Sequence, residues 1–273
     1  MKKYLLVFLI LFGLSATAQD NYVTETDIPY YADTVKKDPY MASQCKLDIY
    51  YSKAAKNAPT IVWFHGGGIT AGKKELPAAL KNKGYIIVGV GYRLSPTATA
   101  PAYIEDAAAA IAWVFGHAKQ YGGNTKLIFI SGHSAGGYLG MMCTLNKKYL
   151  DKYKIDANSI AGLIPFSGQA ITHFTIRKER GIKETQPTID EYAPLYFVRP
   201  DAPPMLLITG DREMELYGRY EENAYLSRMM KLAGHKATRL YELQGFDHGG
   251  MAEPAFPLLI KEVRMLSKAI DAD

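Results

Sequence analysis

One short glycine-bearing segment carries a serine in a setting that suits nucleophilic catalysis. Residues 132–136 read GHSAG and match the pattern G-x-S-x-G, with Ser134 at the centre. The segment lies between a predicted strand at 126–130 and a predicted helix, which is the context of a nucleophile elbow. Such a turn is strained, so the serine needs small neighbours that do not clash. The alternative interpretation is a glycine-rich strand-to-helix turn without chemistry.

A second glycine segment has the composition of an oxyanion-binding loop. Residues 65–68 read HGGG and follow the β-branched and aromatic run 60–64, which is typical of a buried strand. Acyl transfer places a negative charge on an oxygen in the transition state, and backbone N–H groups can stabilise that charge. Consecutive glycines let the backbone approach this oxygen without side-chain obstruction. A plain flexible loop is the alternative.

The chain from about Leu47 to Ile270 resembles the α/β-hydrolase superfamily, and within it the hormone-sensitive-lipase-like and arylformamidase-like carboxylesterase group. Four segments carry the resemblance: HGGG at 65–68, GYRLSP at 91–96, EDAA at 105–108 and GHSAGG at 132–137. The resemblance implies an α/β-hydrolase fold and serine hydrolase chemistry without a metal or an organic cofactor.

The same resemblance assigns roles to individual residues. The backbone N–H groups of Gly67, Gly68 and Ala135 would form the oxyanion hole. Arg93 and Asp106 would be structural rather than catalytic.

A serine nucleophile needs a general base, and His248 is our candidate for it. It follows the last predicted strand, within residues 245–250, which read GFDHGG. In α/β-hydrolases the base occupies this position. The alternative is a histidine in a surface turn.

The other histidines fit the role of base less well. His133 adjoins the serine and cannot reach the hydroxyl of its own neighbour, while His65 belongs to the HGGG loop. We expect His117 and His235 to lie in solvent. His173 lies in an irregular segment and could contact substrate.

The carboxylate that orients the histidine is expected in the loop after the predicted strand 205–209. This loop reads GDREME over residues 210–215. In the resembled family the carboxylate stands three residues after a glycine, which indicates Glu213. Asp211 is the second choice because it lies closer to the strand end. Asp247 adjoins His248 in sequence and is a poor candidate geometrically.

These residues need a scaffold of alternating strands and helices, and the sequence predicts one. Apolar and β-branched runs predict strands at 46–50, 60–64, 85–90, 126–130, 160–166, 205–209 and 237–243. Helices are predicted at 75–83, 103–120, 135–147, 219–232 and 254–270. Continuous alternation favours a mostly parallel sheet with helices on both faces.

The domain organisation follows from this pattern. We predict a single α/β-hydrolase domain over residues 19–273, beginning with an irregular arm at 19–44. The segment 167–203 has no clean periodicity, and because long irregular insertions are often functional, we expect it to form a lid.

The first residues resemble a secretory signal peptide. A short basic start is followed by the apolar stretch Leu5–Leu14 and by residues 16–18, which read ATA. The apolar stretch is too short to cross a bilayer as a helix. We expect cleavage before Gln19, a secreted or periplasmic protein and no stable membrane insertion. An uncleaved N-terminal anchor is the alternative.

Charge and cysteine content narrow the function further. The formal net charge is +5, and loss of Lys2 and Lys3 with the leader would reduce it to +3. Such a small excess, without a long basic run, argues against a nucleic-acid partner. Cys45 and Cys143 have no metal-ligand spacing. They could pair in an oxidising compartment, but two buried free thiols are favoured.

The residues together favour an exported esterase that hydrolyses short-chain carboxylic esters, with small-molecule or carbohydrate esters as its substrates. Acetyl esters of carbohydrates are a plausible class. The alternatives are an amide hydrolase, either arylformamidase-like or a peptidase, and a non-catalytic binding protein on the same scaffold. The sequence does not indicate the oligomeric state.

Overall fold

Eight strands pair into one sheet in the computed structural model, which describes residues 21–272. They are β1 (Tyr22–Pro29), β2 (Lys46–Ser52), β3 (Ala58–Phe64), β4 (Ile86–Val90), β5 (Gly123–His133), β6 (Gly162–Phe166), β7 (Met205–Gly210) and β8 (Thr238–Leu243). Their order across the sheet is β1-β2-β4-β3-β5-β6-β7-β8. Strand β2 pairs antiparallel with both β1 and β4, and all pairs from β4 across to β8 are parallel. The predicted mostly parallel α/β-hydrolase sheet is therefore confirmed.

Helices cover both faces of this sheet. They are α1 (Pro39–Gln44), α2 (Ala102–His117), α3 (Ala135–Leu145), α4 (Lys148–Asp151), α5 (Phe174–Glu179), α6 (Arg219–Leu232) and α7 (Ala252–Ala272). Apolar residues of α2, α3 and α6 pack in one core cluster, and those of α7 pack in a second. Neighbouring residues of β3 alternate between the two: Val62 belongs to the first cluster, and Ile61 and Trp63 to the second. This alternation is the period of a strand buried on both faces.

The parallel arrangement brings the segments that follow six strands to the same edge of the sheet. Residues that follow β4, β3, β5, β6, β7 and β8 all leave the carboxyl ends of adjacent strands. In open α/β sheets this edge is where ligands bind. The HGGG loop, Ser134 and His248 follow three of these strands and so lie at one end of the molecule.

The predicted irregular arm at 19–44 is wrong for most of its length. Residues Tyr22–Pro29 form β1, which pairs with β2 at the edge of the sheet, and Pro39–Gln44 form α1. Most residues of β1 stay at least partly exposed on both faces, so its sequence lacks the apolar alternation of an inner strand. Asp38 caps α1 by accepting a hydrogen bond from the N–H of Met41 at 2.7 Å.

The predicted helix at 75–83 is also wrong. Only Ala78–Leu80 is helical there, as one 3₁₀ turn. Pro77 immediately precedes that turn and has no N–H group to donate, and Asn82 has a positive φ of 56°. A continuous α-helix through these positions is therefore blocked.

The segment 167–203, predicted as a lid, packs tightly on the rest of the molecule. Tyr138 of α3 donates a hydrogen bond from its hydroxyl to the carbonyl of Tyr192 at 2.8 Å. The hydroxyl of Thr175 donates to the carbonyl of Gly68 in the HGGG loop. The segment therefore contacts the predicted oxyanion loop directly.

Two further predictions concern residues away from the edge. Cys45 and Cys143 are both buried free thiols, as favoured above. Arg93 and Asp106 form an ion pair of 2.7 Å, in which the Asp106 side chain is fully buried. The hydroxyl of Tyr31 also donates to this carboxylate at 2.7 Å, so Asp106 joins three parts of the chain, in keeping with a structural role.

The predicted signal peptide lies outside the described residues. Within residues 21–272, every helix is either too short or too polar to cross a bilayer.

Candidate active site

Ser134 occupies a sharp turn between β5 and α3. Its backbone has a φ of 53° and a ψ of −113°, which is a strained conformation for a residue other than glycine. The N–H of Ser134 donates to the carbonyl of Phe166 at 2.8 Å and fixes the turn. A Cβ added at Gly136 would lie 2.0 Å from the carbonyl oxygen of Phe64, so a larger residue cannot fit there. The turn has the geometry that the GHSAG pattern predicts.

This close approach gives a stability prediction. Gly136→Ala should lower the free energy of unfolding by about 1–3 kcal/mol or more, because its methyl group would overlap the backbone of β3. Gly116→Ala is the matched control: no atom lies within 4 Å of the added Cβ in α2. That change should raise stability by about 0.5–1 kcal/mol. Urea unfolding of both variants measures the difference, and an unaffected Gly136→Ala would contradict the tight turn.

His248 contacts Ser134 as predicted. The hydroxyl of Ser134 donates to Nε2 of His248, with 2.8 Å between the two atoms. His248 is half-buried in the loop between β8 and α7. This distance allows the imidazole to accept the proton of the serine hydroxyl.

The carboxylate bound to His248 is Glu215, and the prediction of Glu213 is wrong. Nδ1 of His248 donates to Oε2 of Glu215 at 2.7 Å. The N–H groups of Met214 and Glu215 both donate to the carbonyl of Asp211 at 2.9 Å, so the chain turns tightly after β7. This turn leaves the side chain of Glu213 exposed and directs Glu215 back to the histidine.

The other two acidic candidates serve as loop caps. Asp211, the second choice, accepts hydrogen bonds from the N–H groups of Glu213 at 3.0 Å and Gly245 at 2.8 Å. Asp247 accepts from the N–H of Gly250 at 2.6 Å. Neither carboxylate contacts the imidazole of His248, so the prediction of Asp211 is also wrong.

The surroundings of Glu215 keep it ionised. Its side chain is 1% exposed, and its Oε1 accepts hydrogen bonds from the N–H of Gly210 and the hydroxyl of Ser167. Burial raises the pKa of Glu215, but the hydrogen bonds from His248 and Ser167 outweigh it and lower that pKa to about 2. A charged carboxylate at Nδ1 stabilises the imidazolium that forms when His248 takes a proton.

The HGGG loop lies against the serine. A Cβ added at Gly66 would be 3.7 Å from Cβ of Ser134. Gly67 and Gly68 have φ values of 108° and 62°, which other residues rarely adopt. Among the described residues, the N–H groups of Gly67, Gly68 and Ala135 have no hydrogen-bond partner. Free donors beside the nucleophile are what an oxyanion needs.

His65 and neighbouring side chains hold this loop in shape. The imidazole of His65 stacks on Tyr92 with 4.3 Å between the ring centroids. Nδ1 of His65 lies 2.7 Å from the carbonyl oxygen of Gly66, and the hydroxyl of Tyr92 donates to the carbonyl of His65 at 2.7 Å. Burial lowers the pKa of His65, so the ring is neutral and Nδ1–H donates to Gly66.

His133 also lies at the site, although it does not contact the hydroxyl of Ser134. Its Nε2 is 2.8 Å from the carbonyl oxygen of His248, and the two imidazole centroids are 4.9 Å apart. Desolvation lowers the pKa of His133 to about 4, so the ring is neutral and donates from Nε2. His133 thereby ties the His248 loop to the end of β5.

The structure corrects the expectation for His235. It is 4% exposed rather than solvated, with Nδ1 2.6 Å from the hydroxyl of Thr238 and Nε2 2.9 Å from the carbonyl of Ala202. His117 is half-buried and stacks on Trp113, so its exposure to solvent is only partial.

His173 is fully buried, and its Nδ1 accepts from the N–H of Thr175 at the start of α5. Direct contact with substrate, which the sequence left open for His173, is therefore not supported. Over residues 21–272, no group of three potential metal-ligating side chains converges.

Sequence reasoning missed Glu215 and Ser167. Glu215 stands two positions after the predicted Glu213. The prediction counted three residues from Gly210, and such a fixed spacing does not take into account how tightly the chain turns after Asp211. Ser167 directly follows β6 and belongs to no motif. The one signal in the sequence is its position after a predicted strand, at the same edge of the sheet as Ser134.

Comparisons of the sequence with known proteins find relatives that are named as esterases or carboxylic ester hydrolases. Over 178 residues, which are 56% of this chain, the sequence is 29% identical to the probable carboxylic ester hydrolase LipM of Mycobacterium tuberculosis. The match covers 41% of LipM. The chain spans less than half the length of the first curated relatives that it matches.

Two solved structures have the same fold at low sequence identity. A truncated carbohydrate esterase from gut microbiota superposes with a TM-score of 0.73 at 21% identity, covering 92% of this chain and 99% of that one. Esterase Est2 of Thermogutta terrifontis superposes with a TM-score of 0.65 at 23% identity, covering 88% and 90%.

A family model also matches the sequence itself. The model described as BD-FAE covers residues 47–217, which is more than half of the chain and runs from β2 past Glu215. The α/β-hydrolase resemblance of the motifs is thereby confirmed, and the chain belongs to the BD-FAE family.

Proposed function

We propose that the protein is a carboxylic ester hydrolase that works through an acyl-enzyme intermediate. The observation that carries the proposal is the chain of hydrogen bonds from Ser134 through His248 to Glu215, beside the free N–H groups of the HGGG loop. The relatives named as esterases and carboxylic ester hydrolases support the same activity.

The geometry assigns each residue a step. Ser134 attacks the acyl carbon while Nε2 of His248 takes the hydroxyl proton, and Glu215 stabilises the resulting imidazolium. The N–H groups of Gly67, Gly68 and Ala135 stabilise the oxyanion. His248 then gives its proton to the leaving alcohol, and the ester of Ser134 remains.

Water completes the cycle by the same route. His248 removes a proton from the attacking water, the oxyanion forms again in the same position, and Ser134 leaves with the proton held by His248. These residues need no metal ion or organic cofactor for either half of the reaction.

We further propose that the substrates carry short acyl groups, with acetyl esters of carbohydrates as a plausible class. The ring of Phe174 closes one side of the oxyanion loop: a Cβ added at Gly68 would lie 3.0 Å from it. The neighbouring ring of Tyr217 has its centroid 6.4 Å from that of Phe174. One structural neighbour is a carbohydrate esterase, which supports the proposed class of alcohol.

A panel of nitrophenyl esters tests the acyl preference. The wild type should hydrolyse acetyl and butyryl esters with a higher kcat/KM than octanoyl esters. Phe174→Ala should raise the ratio of octanoyl to acetyl kcat/KM roughly tenfold, since an apolar pocket discriminates by about 1–3 kcal/mol per group removed.

Tyr196→Ala is the matched control for Phe174→Ala. Tyr196 lies in the same segment, but its side chain is 61% exposed. This variant should leave the ratio unchanged. Faster hydrolysis of octanoyl than of acetyl esters by the wild type would contradict the short-acyl proposal.

We also propose that the protein is exported with cleavage before Gln19. The basic start, the apolar stretch and the ATA sequence at 16–18 support this proposal. Mass spectrometry of the expressed full-length chain should find Gln19 as the first residue of the protein outside the inner membrane. An intact Met1 in the membrane fraction would favour an anchor instead.

A further inference from the structure

Two residues outside the sequence motifs, Ser167 and Arg219, are linked by hydrogen bonds to the carboxylate that binds His248. Ser167 follows β6 and donates its hydroxyl to Oε1 of Glu215. Arg219, the first residue of α6, donates from Nη1 to the carbonyl oxygen of Ser167. Both residues are fully buried.

Ser167 is held in an unusual backbone conformation. Its φ is 49°, in the left-handed region, and its N–H donates to the carbonyl of Ile208 on β7 at 2.7 Å. Non-glycine residues take this conformation only when their surroundings enforce it. Here the strained turn directs the hydroxyl across the end of β7 to Glu215.

Arg219 closes a ring of hydrogen bonds around this turn. Its backbone N–H donates to the carbonyl of Leu216 at 2.9 Å, next in sequence to Glu215. Asn223, one turn along α6, donates from Nδ2 to the carbonyls of Gly168 at 2.8 Å and Arg219 at 2.9 Å. The turn after β6 and the loop after β7 are therefore joined through the first residues of α6, by side chains on one side and by a backbone N–H on the other.

Arg219 also places a positive charge near the carboxylate. Burial lowers the pKa of Arg219, while Glu222 and Glu215 act in the opposite direction. A guanidinium remains protonated in proteins even when buried. A charged donor forms a stronger hydrogen bond than a neutral one, so Arg219 holds the carbonyl oxygen of Ser167 firmly in place.

A glutamate in this role needs such support. Its side chain has one more rotatable bond than an aspartate, so fixing the carboxylate costs more conformational entropy. The two donors to Oε1, from Gly210 and Ser167, leave Oε2 to accept from His248 and, at 3.2 Å, from the N–H of Leu216.

We propose that Ser167 and Arg219 are positioning residues, which hold the carboxylate of Glu215 where Nδ1 of His248 can donate to it. The inference rests on the proposed esterase function, because it assigns these residues a task within that reaction. The inference predicts that substitutions of Ser167 or Arg219 lower kcat only because they disturb the carboxylate of Glu215.

A double-mutant cycle tests this. Ser167→Ala should lower kcat on a fluorogenic acetate ester by roughly 10-fold to 100-fold, by analogy with the loss when the hydrogen-bond partners of metal-binding side chains are removed. KM should stay within about twofold, because no contact with the substrate is lost. In a Glu215→Gln background, Ser167→Ala should change kcat by less than about twofold.

Ser131→Ala is the matched control. Ser131 is a buried serine of β5, and its hydroxyl donates to the carbonyl of Ile164 at 2.6 Å. This change also removes a buried hydroxyl but should leave kcat within about twofold of the wild type. Equal losses in the two Glu215 backgrounds, or normal kcat in Ser167→Ala, would overturn the inference.

Arg219→Lys provides a second measurement if Ser167→Ala does not fold. Lysine keeps the charge but has a single nitrogen in place of the planar guanidinium. We expect kcat to fall at constant KM, and this loss should vanish in the Glu215→Gln background. A loss that persists there would refute a role through Glu215. Loss of activity in Ser134→Ala with a normal Ser167→Ala would refute this inference and leave the esterase proposal standing.

Discussion

Ser134→Ala lowers kcat for ester hydrolysis by roughly 10⁵-fold or more in our account, the scale of loss when a serine hydrolase nucleophile is removed. In the proposed mechanism Oγ of Ser134 becomes acylated, and within residues 21–272 no other hydroxyl forms a hydrogen bond with His248. The fold should persist, because the N–H of Ser134 still donates to Phe166 and alanine is small enough for the turn. Steady-state kinetics with an acetyl ester and thermal unfolding measure the two quantities.

Ser131→Ala again serves as the control for this change. It removes another buried hydroxyl, three residues earlier in the chain, but leaves Ser134 in place. Turnover near the wild-type level in Ser134→Ala would mean that the hydrogen-bonded serine is not the nucleophile.

Glu215→Gln should lower kcat by roughly 10³-fold to 10⁴-fold, as loss of the orienting carboxylate does in serine proteases. The amide can present a donor to Nδ1 and hold the imidazole in the wrong tautomer. It also removes the negative charge that stabilises the imidazolium. KM should change little, because Glu215 has no contact with substrate in this mechanism.

Glu213→Gln is the matched control, since it makes the same chemical change two residues away. Glu213 is exposed, so this variant should keep kcat within about twofold of the wild type. Asp211→Asn keeps only one of the two oxygens that accept from loop N–H groups and should affect stability more than kcat. The reverse ranking of Glu215 and Glu213 would contradict the structure of this loop.

The parts of the fold that the sequence predicts well are those whose burial is strongest. All five residues of β4 are buried, and its short run of apolar, mostly β-branched residues predicts a buried strand. The helix Arg219–Leu232 has the predicted bounds. By contrast, β1 lies at the sheet edge and is stabilised by backbone pairing with β2, which leaves no apolar signature.

The site divides in the same way. Ser134 and the HGGG loop depend on local backbone geometry, which glycines reveal in sequence. His248 is indicated by its place after the last strand. The choice of carboxylate depends instead on how the turn after Asp211 winds, and that is set by hydrogen bonds across several strands. Spacing from Gly210 could not register these contacts.

The central claim is that Ser134 becomes acylated. Intact-protein mass spectrometry after treatment with a fluorophosphonate, which mimics the acyl transition state, tests it most directly. We expect one adduct per chain, located at Ser134 by peptide mapping, with labelling absent in Ser134→Ala and strongly slowed in Glu215→Gln. An adduct on another residue, or equal labelling of Ser134→Ala, would contradict the claim.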